Sequence, residues 1–299
     1  LALPARLVEE ALAQDDTGLR LDEVCAPGAG SADYSSEAGP HVGLSQVVRG
    51  LPAAVSERPQ GTFMRQGLLP EIQRMWRSFE STFVLWRYTD ASGDAEVVEY
   101  QGVTQQIVNA AVARPKNFSA GADFFLILAT PVEVSLHALS FSPAGDRLLP
   151  PERTQHAVAT DDVVVSAIAT DERTGRIFLG GKDGCISELQ YFDDEASWLG
   201  RPRKCRRSTV CWNVQARLPT LLRKAAEAVF GAAEGVAQLV MDSARGLLLS
   251  LSSASSVIVF QVPLARAAAG QPPEEPALVQ VCCIPQSALA LEVARVRAG

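Results

Sequence analysis

The 299 residues include only three histidines, His41, His137 and His156, and none stands beside a cysteine or carboxylate pair at the spacing a metal site requires. Neither a phosphate-cradling glycine loop ending in Lys-Ser/Thr nor a Gly-x-Ser-x-Gly nucleophile turn occurs anywhere. These absences exclude the usual signatures of zinc hydrolases, P-loop NTPases and serine hydrolases. No catalytic residue, cofactor or metal is expected. No apolar run approaches the roughly 18 residues that a membrane-crossing helix needs. Any contact with lipid is therefore expected to be peripheral.

Six cysteines, Cys25, Cys185, Cys205, Cys211, Cys282 and Cys283, lack the even spacing of a disulfide framework, and no secretory leader is recognisable at the start. A reducing cytosolic or nuclear setting is expected. Cys185, beside Lys182, reads as small packing at the start of a strand, and the neighbours Cys282 and Cys283 as buried strand residues rather than a redox pair. Aromatic residues make up 6% of the chain, and Trp76, Trp86, Trp198 and Trp212 do not interleave with cations as a base-stacking ladder would. Trp76 and Trp86 read as core or blade-edge residues and Trp198 as a loop cover. The net charge of −7 and pI near 5.1 likewise disfavour electrostatic capture of nucleic acid. No direct nucleic-acid partner is expected.

What the sequence has in quantity is apolar residues, 47% of the chain, in short runs punctuated by turns. Asp162 to Phe192 is the clearest stretch: strands over Val163–Thr170, Arg176–Gly180 and Cys185–Phe192 are joined by turns at Asp171–Gly175 and Lys182-Asp183-Gly184. The same meander recurs 71 residues later, with Asp242 on Asp171 and Gly246 on Gly175. A weaker copy runs from Glu80 through Val97–Tyr100, and further strands are expected at Gln106–Ala113, Phe124–Ala129 and Val132–Phe141. Repeated meanders predict an all-β fold, a partial β-propeller of about three to four blades occupying residues 51–299, incomplete at its C-terminal end. Residues 1–50 are expected to form a leader, helical over Leu3–Ala13 and flexible around Pro27–Gly43.

One segment breaks the acidic trend. Arg201 to Lys224 holds eight cations and no Asp or Glu. Its candidate contact residues are Arg203, Lys204, Arg206, Arg207, Val210, Trp212, Val214, Arg217, Leu218, Leu221 and Leu222, because cations meet anionic headgroups while aromatic and aliphatic side chains enter the interface. Pro219 suits the first turn of a helix reaching Phe230, with Leu221, Leu222, Ala225 and Val229 on one arc. An amphipathic insertion between blades, contacting membrane or a protein partner, is the expectation.

Several segments together carry a family resemblance: Leu69-Pro70-Glu71-Ile72, Trp86-Arg87-Tyr88, Leu126 to Val132, and above all Gly175-Arg176-Ile177-Phe178-Leu179-Gly180-Gly181-Lys182-Asp183-Gly184-Cys185, followed by Leu218 to Leu222. In this order they resemble the N-terminal β-propeller of the large inner-ring scaffold nucleoporins of vertebrates and fungi. The resemblance implies a structural role without catalysis, at the nuclear pore complex of the nuclear envelope, in support of protein import and RNA export. It implies as partners other inner-ring and linker nucleoporins, pore membrane proteins and, peripherally, the nuclear-envelope membrane. The family's membrane-sensing loop corresponds to about Ser208–Leu222. There the family is serine-rich and this chain is rich in arginine with Trp212, so attraction to anionic lipid is the expected mode. A generic propeller adaptor for protein partners, without lipid contact, is the alternative reading.

Overall fold

The computed structural model describes residues 51–57, 63–88, 96–115, 122–145, 147–198, 201–211, 234–263 and 278–286, with the side chains of 54, 193–198 and 201–204 not included. The expected helices at Leu3–Ala13 and Pro219–Phe230, and the flexible tract of the leader, lie outside these residues.

Four antiparallel sheets of four strands follow one another along the chain. The first comprises β1 (Met64–Leu69), β2 (Arg74–Phe79), β3 (Thr82–Arg87) and β4 (Val97–Tyr100). The second holds β5 (Asn109–Ala113), β6 (Phe124–Ala129), β7 (Glu133–Leu139) and β8 (Glu152–Ala159). The third holds β9 (Val165–Thr170), β10 (Ile177–Gly181), β11 (Ile186–Trp198) and β12 (Arg201–Cys211). The fourth is β13 (Val236–Asp242), β14 (Leu247–Ser252), β15 (Val257–Gln261) and β16 (Val279–Ile284). Each sheet is a simple meander, and the first strands β1, β5, β9 and β13 approach one another in sequence. This is a propeller-like array of four blades, with their first strands innermost.

The blades stack face to face, which explains why their strands read as unbroken apolar runs instead of alternating patterns. In β6, Leu126 and Leu128 enter the seam with blade 1, where Trp76, Phe83 and Leu85 wait. The alternate residues Phe125, Ile127 and Ala129 enter the opposite seam, against Ile177, Leu179, Leu189 and Tyr191 of blade 3. A third seam joins Ala167, Ala169, Phe178 and Ile186 to Val236, Leu239, Leu248 and Phe260 of blade 4. The outward face of blade 1 carries a one-turn helix, α1 (Ala53–Ser56), whose Val55 covers Val84 and Trp86.

The two turns matched in sequence are alike in structure. Gly175 and Gly246 both adopt left-handed φ, 70° and 66°, where a Cβ would be strained. Of the core and blade-edge alternatives for Trp76 and Trp86, both take the buried one. Other expectations need correction. β1, β2 and β8 were not legible, because their exposed or polar alternate residues, as in the Glu152–Ala159 strand, dilute the apolar signal. β11 continues past Phe192 to Trp198, so Trp198 lies in a strand and not on a loop. The basic stretch begins as a strand, not an insertion: Arg201–Cys211 is the outer strand of blade 3, paired along β11. Cys282 and Cys283 do sit in a strand, β16, but both are exposed, since β16 is the outermost strand of its blade.

Candidate functional site

On β12 the strand period decides which of the basic residues face solvent. Arg206 lies opposite Gln190 on β11, is exposed, and donates through both Nε and Nη2 to Gln190 Oε1, the former at 3.0 Å. Arg207, the next residue, points the other way. Its guanidinium donates from Nη1 to the Thr160 carbonyl at 2.6 Å and from Nη2 to Asp161 Oδ2 at 3.0 Å, and its side chain is only 16% exposed. Arg207 thus clamps the connection between blades 2 and 3, where Asp161 and Asp162 both hold left-handed φ. Val210 is half-buried against the seam between blades 3 and 4. Arg203 stands opposite Ala196, and Lys204 sits in the bulge between the Tyr191–Cys205 and Ala196–Arg203 pairs. Trp212, Val214, Arg217, Leu218, Leu221 and Leu222 lie outside the described residues. Among the described candidates, Arg206 faces solvent while Arg207 and Val210 are engaged within the propeller.

A second feature, unseen in the sequence, is a cavity of about 650 Å³ where the inner strands of all four blades converge, lined in part by Leu68, Ala110, Ile168, Glu172 and Val240. Glu71 also lines it. Loss of water around its carboxyl raises its pKa despite its partly open position, and the negative charge of Glu172 adds to the effect. Across the mouth, Asp242 is held below the usual carboxylate range by hydrogen bonds from Arg245. No sequence signal announces this cavity, because its lining residues come from four segments spread over 177 positions.

The third feature is a polar chain at the seam of blades 1 and 2, half-buried at Tyr100 and buried at His137 and Ser135. Tyr100 Oη and His137 Nδ1 are 2.6 Å apart, and His137 Nε2 is 2.9 Å from Ser135 Oγ. This resembles a catalytic relay only in composition. Ser135 and His137 are both essentially without solvent access, and burial lowers the His137 pKa to about 4, so the imidazole is neutral and serves as a hydrogen-bond bridge. Cys185 is buried, and its backbone N–H donates to Asp183 Oδ1 at 3.1 Å. Burial pushes the Cys205 thiol up to about 12, the reverse of nucleophile activation. No cluster of three or more metal-ligating side chains occurs among the described residues.

The fold defines a protein of packed four-stranded blades. A family model described as Nup133 N terminal like matches residues 45–268, about three quarters of the chain and all four blades up to the last strand. The chain belongs to this nucleoporin family, whose place is the nuclear pore complex of the nuclear envelope. Similar curated proteins include nucleoporin NUP170 of Chaetomium thermophilum, 32% identical over 274 residues. That alignment takes in 88% of this chain and 19% of the relative. Nuclear pore complex protein Nup154 of Drosophila melanogaster is 29% identical over 201 residues, covering 66% of this chain and 14% of the relative. The chain therefore spans less than a fifth of the length of these relatives. The crystal structure of a Chaetomium thermophilum Nup170 NTD–Nup53 complex matches with a TM-score of 0.60 and 26% identity, over 78% of this chain and 30% of the solved one.

Proposed function

We propose that this chain is part of a structural scaffold subunit of the inner ring of the nuclear pore complex, with residues 1–50 as a leader and 51–299 as the front part of an N-terminal propeller. It supports protein import and RNA export by holding the ring's geometry, and carries out no chemical step. The observation that carries this reading is the family match running through four successive blades. The seams are filled by apolar side chains, and the buried Arg176–Glu188 and Ser135–His137 pairs are hydrogen-bonded, which suits a rigid platform. Partners of the linker-nucleoporin kind are supported by the solved Nup170 domain, which was captured with Nup53. A fluorescent fusion expressed in cells tests the scaffold reading: a punctate nuclear rim is expected, and a diffuse signal without rim enrichment overturns it.

The finer part of the proposal is membrane contact through the segment that begins on β12. Eight cations without an acid between Arg201 and Lys224, together with Trp212, Leu218, Leu221 and Leu222, support attraction to anionic lipid. Arg203, Lys204, Arg206, Trp212, Val214, Arg217 and the leucines form this contact, while Arg207 and Val210 hold its base to the propeller. Flotation with phosphatidylserine vesicles separates the readings. Binding that is lost in Trp212→Asp plus Leu221→Asp supports it, and equal flotation of both proteins, or none of either, favours the adaptor that touches protein alone.

A further inference from the structure

β12 contains the run Arg206-Arg207-Ser208-Thr209-Val210, and its Arg-Arg dipeptide is the only one in the 299 residues. Two arginines three and two positions before a threonine, with an aliphatic residue directly after it, match what the acidic substrate clefts of basophilic protein kinases select. Such clefts take their substrates as extended chain, and β12 is already extended. It is the outermost strand of blade 3, paired along one edge, with β11. Arg206 is exposed, and Thr209 and Val210 are half-buried.

The Thr209 hydroxyl is poorly engaged. Its partner is the Ser187 hydroxyl directly across the ladder, 3.5 Å away, beyond the range of about 2.5–3.0 Å that an O–H···O bond prefers. Ser187 is only 8% exposed, so its hydroxyl is withdrawn from water without a full replacement. Both groups line a crevice of about 180 Å³ in the face of blade 3, together with Leu179, Gly180, Asp183 and Arg207. Arg207 and Thr209 are alternate residues of one strand and share that face. Nη1 and Nη2 of Arg207 hold the Thr160 carbonyl and Asp161, and its Nε has no partner among the described residues. Asp183, the acid of the crevice, accepts from the Cys185 N–H through Oδ1 at 3.1 Å. A phosphoryl group on Thr209 would bring one phosphorus and three oxygens into this space. A cavity of about 150 Å³ accommodates the larger benzene, so the crevice has room for them.

We propose that Thr209 is the acceptor of a basophilic protein kinase and that Arg207 receives the resulting phosphate in this crevice. The hydroxyl Oγ1 attacks the terminal phosphorus of a nucleoside triphosphate. The new O–P bond forms as the bond to the nucleoside diphosphate breaks, and the hydroxyl proton passes to the catalytic carboxylate of the kinase. The product holds close to two negative charges beside a guanidinium, a pairing that gives strong, short hydrogen bonds. Asp161, 73% exposed, is the weaker competitor, so the modification draws Arg207 off the connection in which Asp161 and Asp162 hold left-handed φ. It also cancels about two of the eight cations between Arg201 and Lys224. Together with the proposed membrane contact, on which this last step rests, the phosphate acts as an electrostatic release, weakening binding to anionic vesicles by about tenfold or more.

The folded 299-residue chain, incubated with ATP and the catalytic subunit of cAMP-dependent protein kinase, is expected to take up phosphate at Thr209, mapped by tandem mass spectrometry. Arg206→Gln slows the uptake by about tenfold or more, Thr209→Val abolishes it and Thr209→Ser keeps it. Phosphate on Ser208 or elsewhere in place of Thr209, or none on the folded chain, overturns the proposal. Capture by Arg207 has its own readout. In phosphorus NMR the second ionisation of the phosphothreonine is expected below its ordinary value near 6, and Arg207→Gln returns it. An unshifted ionisation beside the intact Arg207 overturns the capture. Flotation with phosphatidylserine vesicles separates this from the membrane reading. Unmodified chain that never floats removes the membrane contact and the release with it, whereas unchanged flotation of the Thr209-phosphorylated chain removes the release alone.

Discussion

Arg176 and Glu188 form a two-pronged ion pair inside blade 3, with Nε to Oε1 at 2.6 Å and Nη2 to Oε2 at 2.9 Å, and their side chains are 2% and 1% exposed. The arginine also donates to the Pro263 carbonyl at 3.2 Å, after the third strand of blade 4, and lies over the Phe178 ring. The pair therefore ties two blades as well as two strands. Removing one charge leaves the other buried without its counter-ion, which costs about 3–5 kcal/mol. Glu188→Ala is expected to lose that much in urea denaturation. The same positions in blade 4 hold Leu247 and Val259. Arg176→Leu plus Glu188→Val is accordingly expected to recover most of the loss, since a well-packed apolar pair often replaces a buried ion pair at little cost. A double variant as unstable as the single one would show that the Pro263 link, rather than the ion pair, matters most.

The His137 bridge makes stability depend on acid. Its ordinary pKa of 6.5 falls to about 4 in the folded protein, chiefly through desolvation, with Arg153 adding repulsion. Above pH 6.5 neither state carries the proton. Between 6.5 and about 4 the unfolded chain takes up a proton that the folded one refuses, so stability falls as pH falls. The whole window corresponds to a loss of about 3 kcal/mol. Urea midpoints followed from pH 7 to pH 4.5 are expected to slide downward, and His137→Gln to flatten the slope even if it lowers the plateau. An unchanged slope in the variant would assign the acid sensitivity to other groups.

How much of this was readable beforehand follows from the physics of each part. Blade 3 and most of blade 4 were legible because Gly175 and Gly246 mark tight turns, and because a strand buried on both faces writes an uninterrupted apolar run such as Ile177-Phe178-Leu179. β1 fails that test. It has Met64 and Leu68 open to solvent and Gln66 between them, so its exposure resembles a loop. The candidate contact was legible as charge but not as geometry. Neighbours Arg206 and Arg207 look equivalent in sequence, yet strand alternation sends one outward and the other to Thr160. The Tyr100–His137 bridge joins residues 37 apart through the way two blades meet. Nothing local encodes it.

Gly180 offers a test of how tightly blades 3 and 4 meet. An added Cβ would stand 2.5 Å from Val236 Cγ1 and 2.9 Å from Val236 Cβ, both too close to persist. Gly180→Ala is expected to destabilise by about 1–3 kcal/mol, the range for overfilling a packed core. Val236→Ala on the same background should return part of that, and the non-additivity of the two changes measures the contact directly.

Thiol reactivity separates the buried cysteines from the exposed ones. Cys282 and Cys283 are open to solvent on β16, Cys211 is half-buried with its pKa raised by desolvation, and Cys205 is 5% exposed with its pKa near 12. Against an ordinary thiol pKa near 8.5, a value of 12 reduces the reactive thiolate by roughly three orders of magnitude at neutral pH. Brief alkylation of the folded 299-residue chain is expected to label Cys282 and Cys283 first and Cys211 slowly. Cys185 and Cys205 should react only when urea opens the blades, because access as well as ionisation is denied to them. Peptide mapping after timed quenching reads each site separately. Fast labelling of Cys185 in the folded protein would contradict its burial.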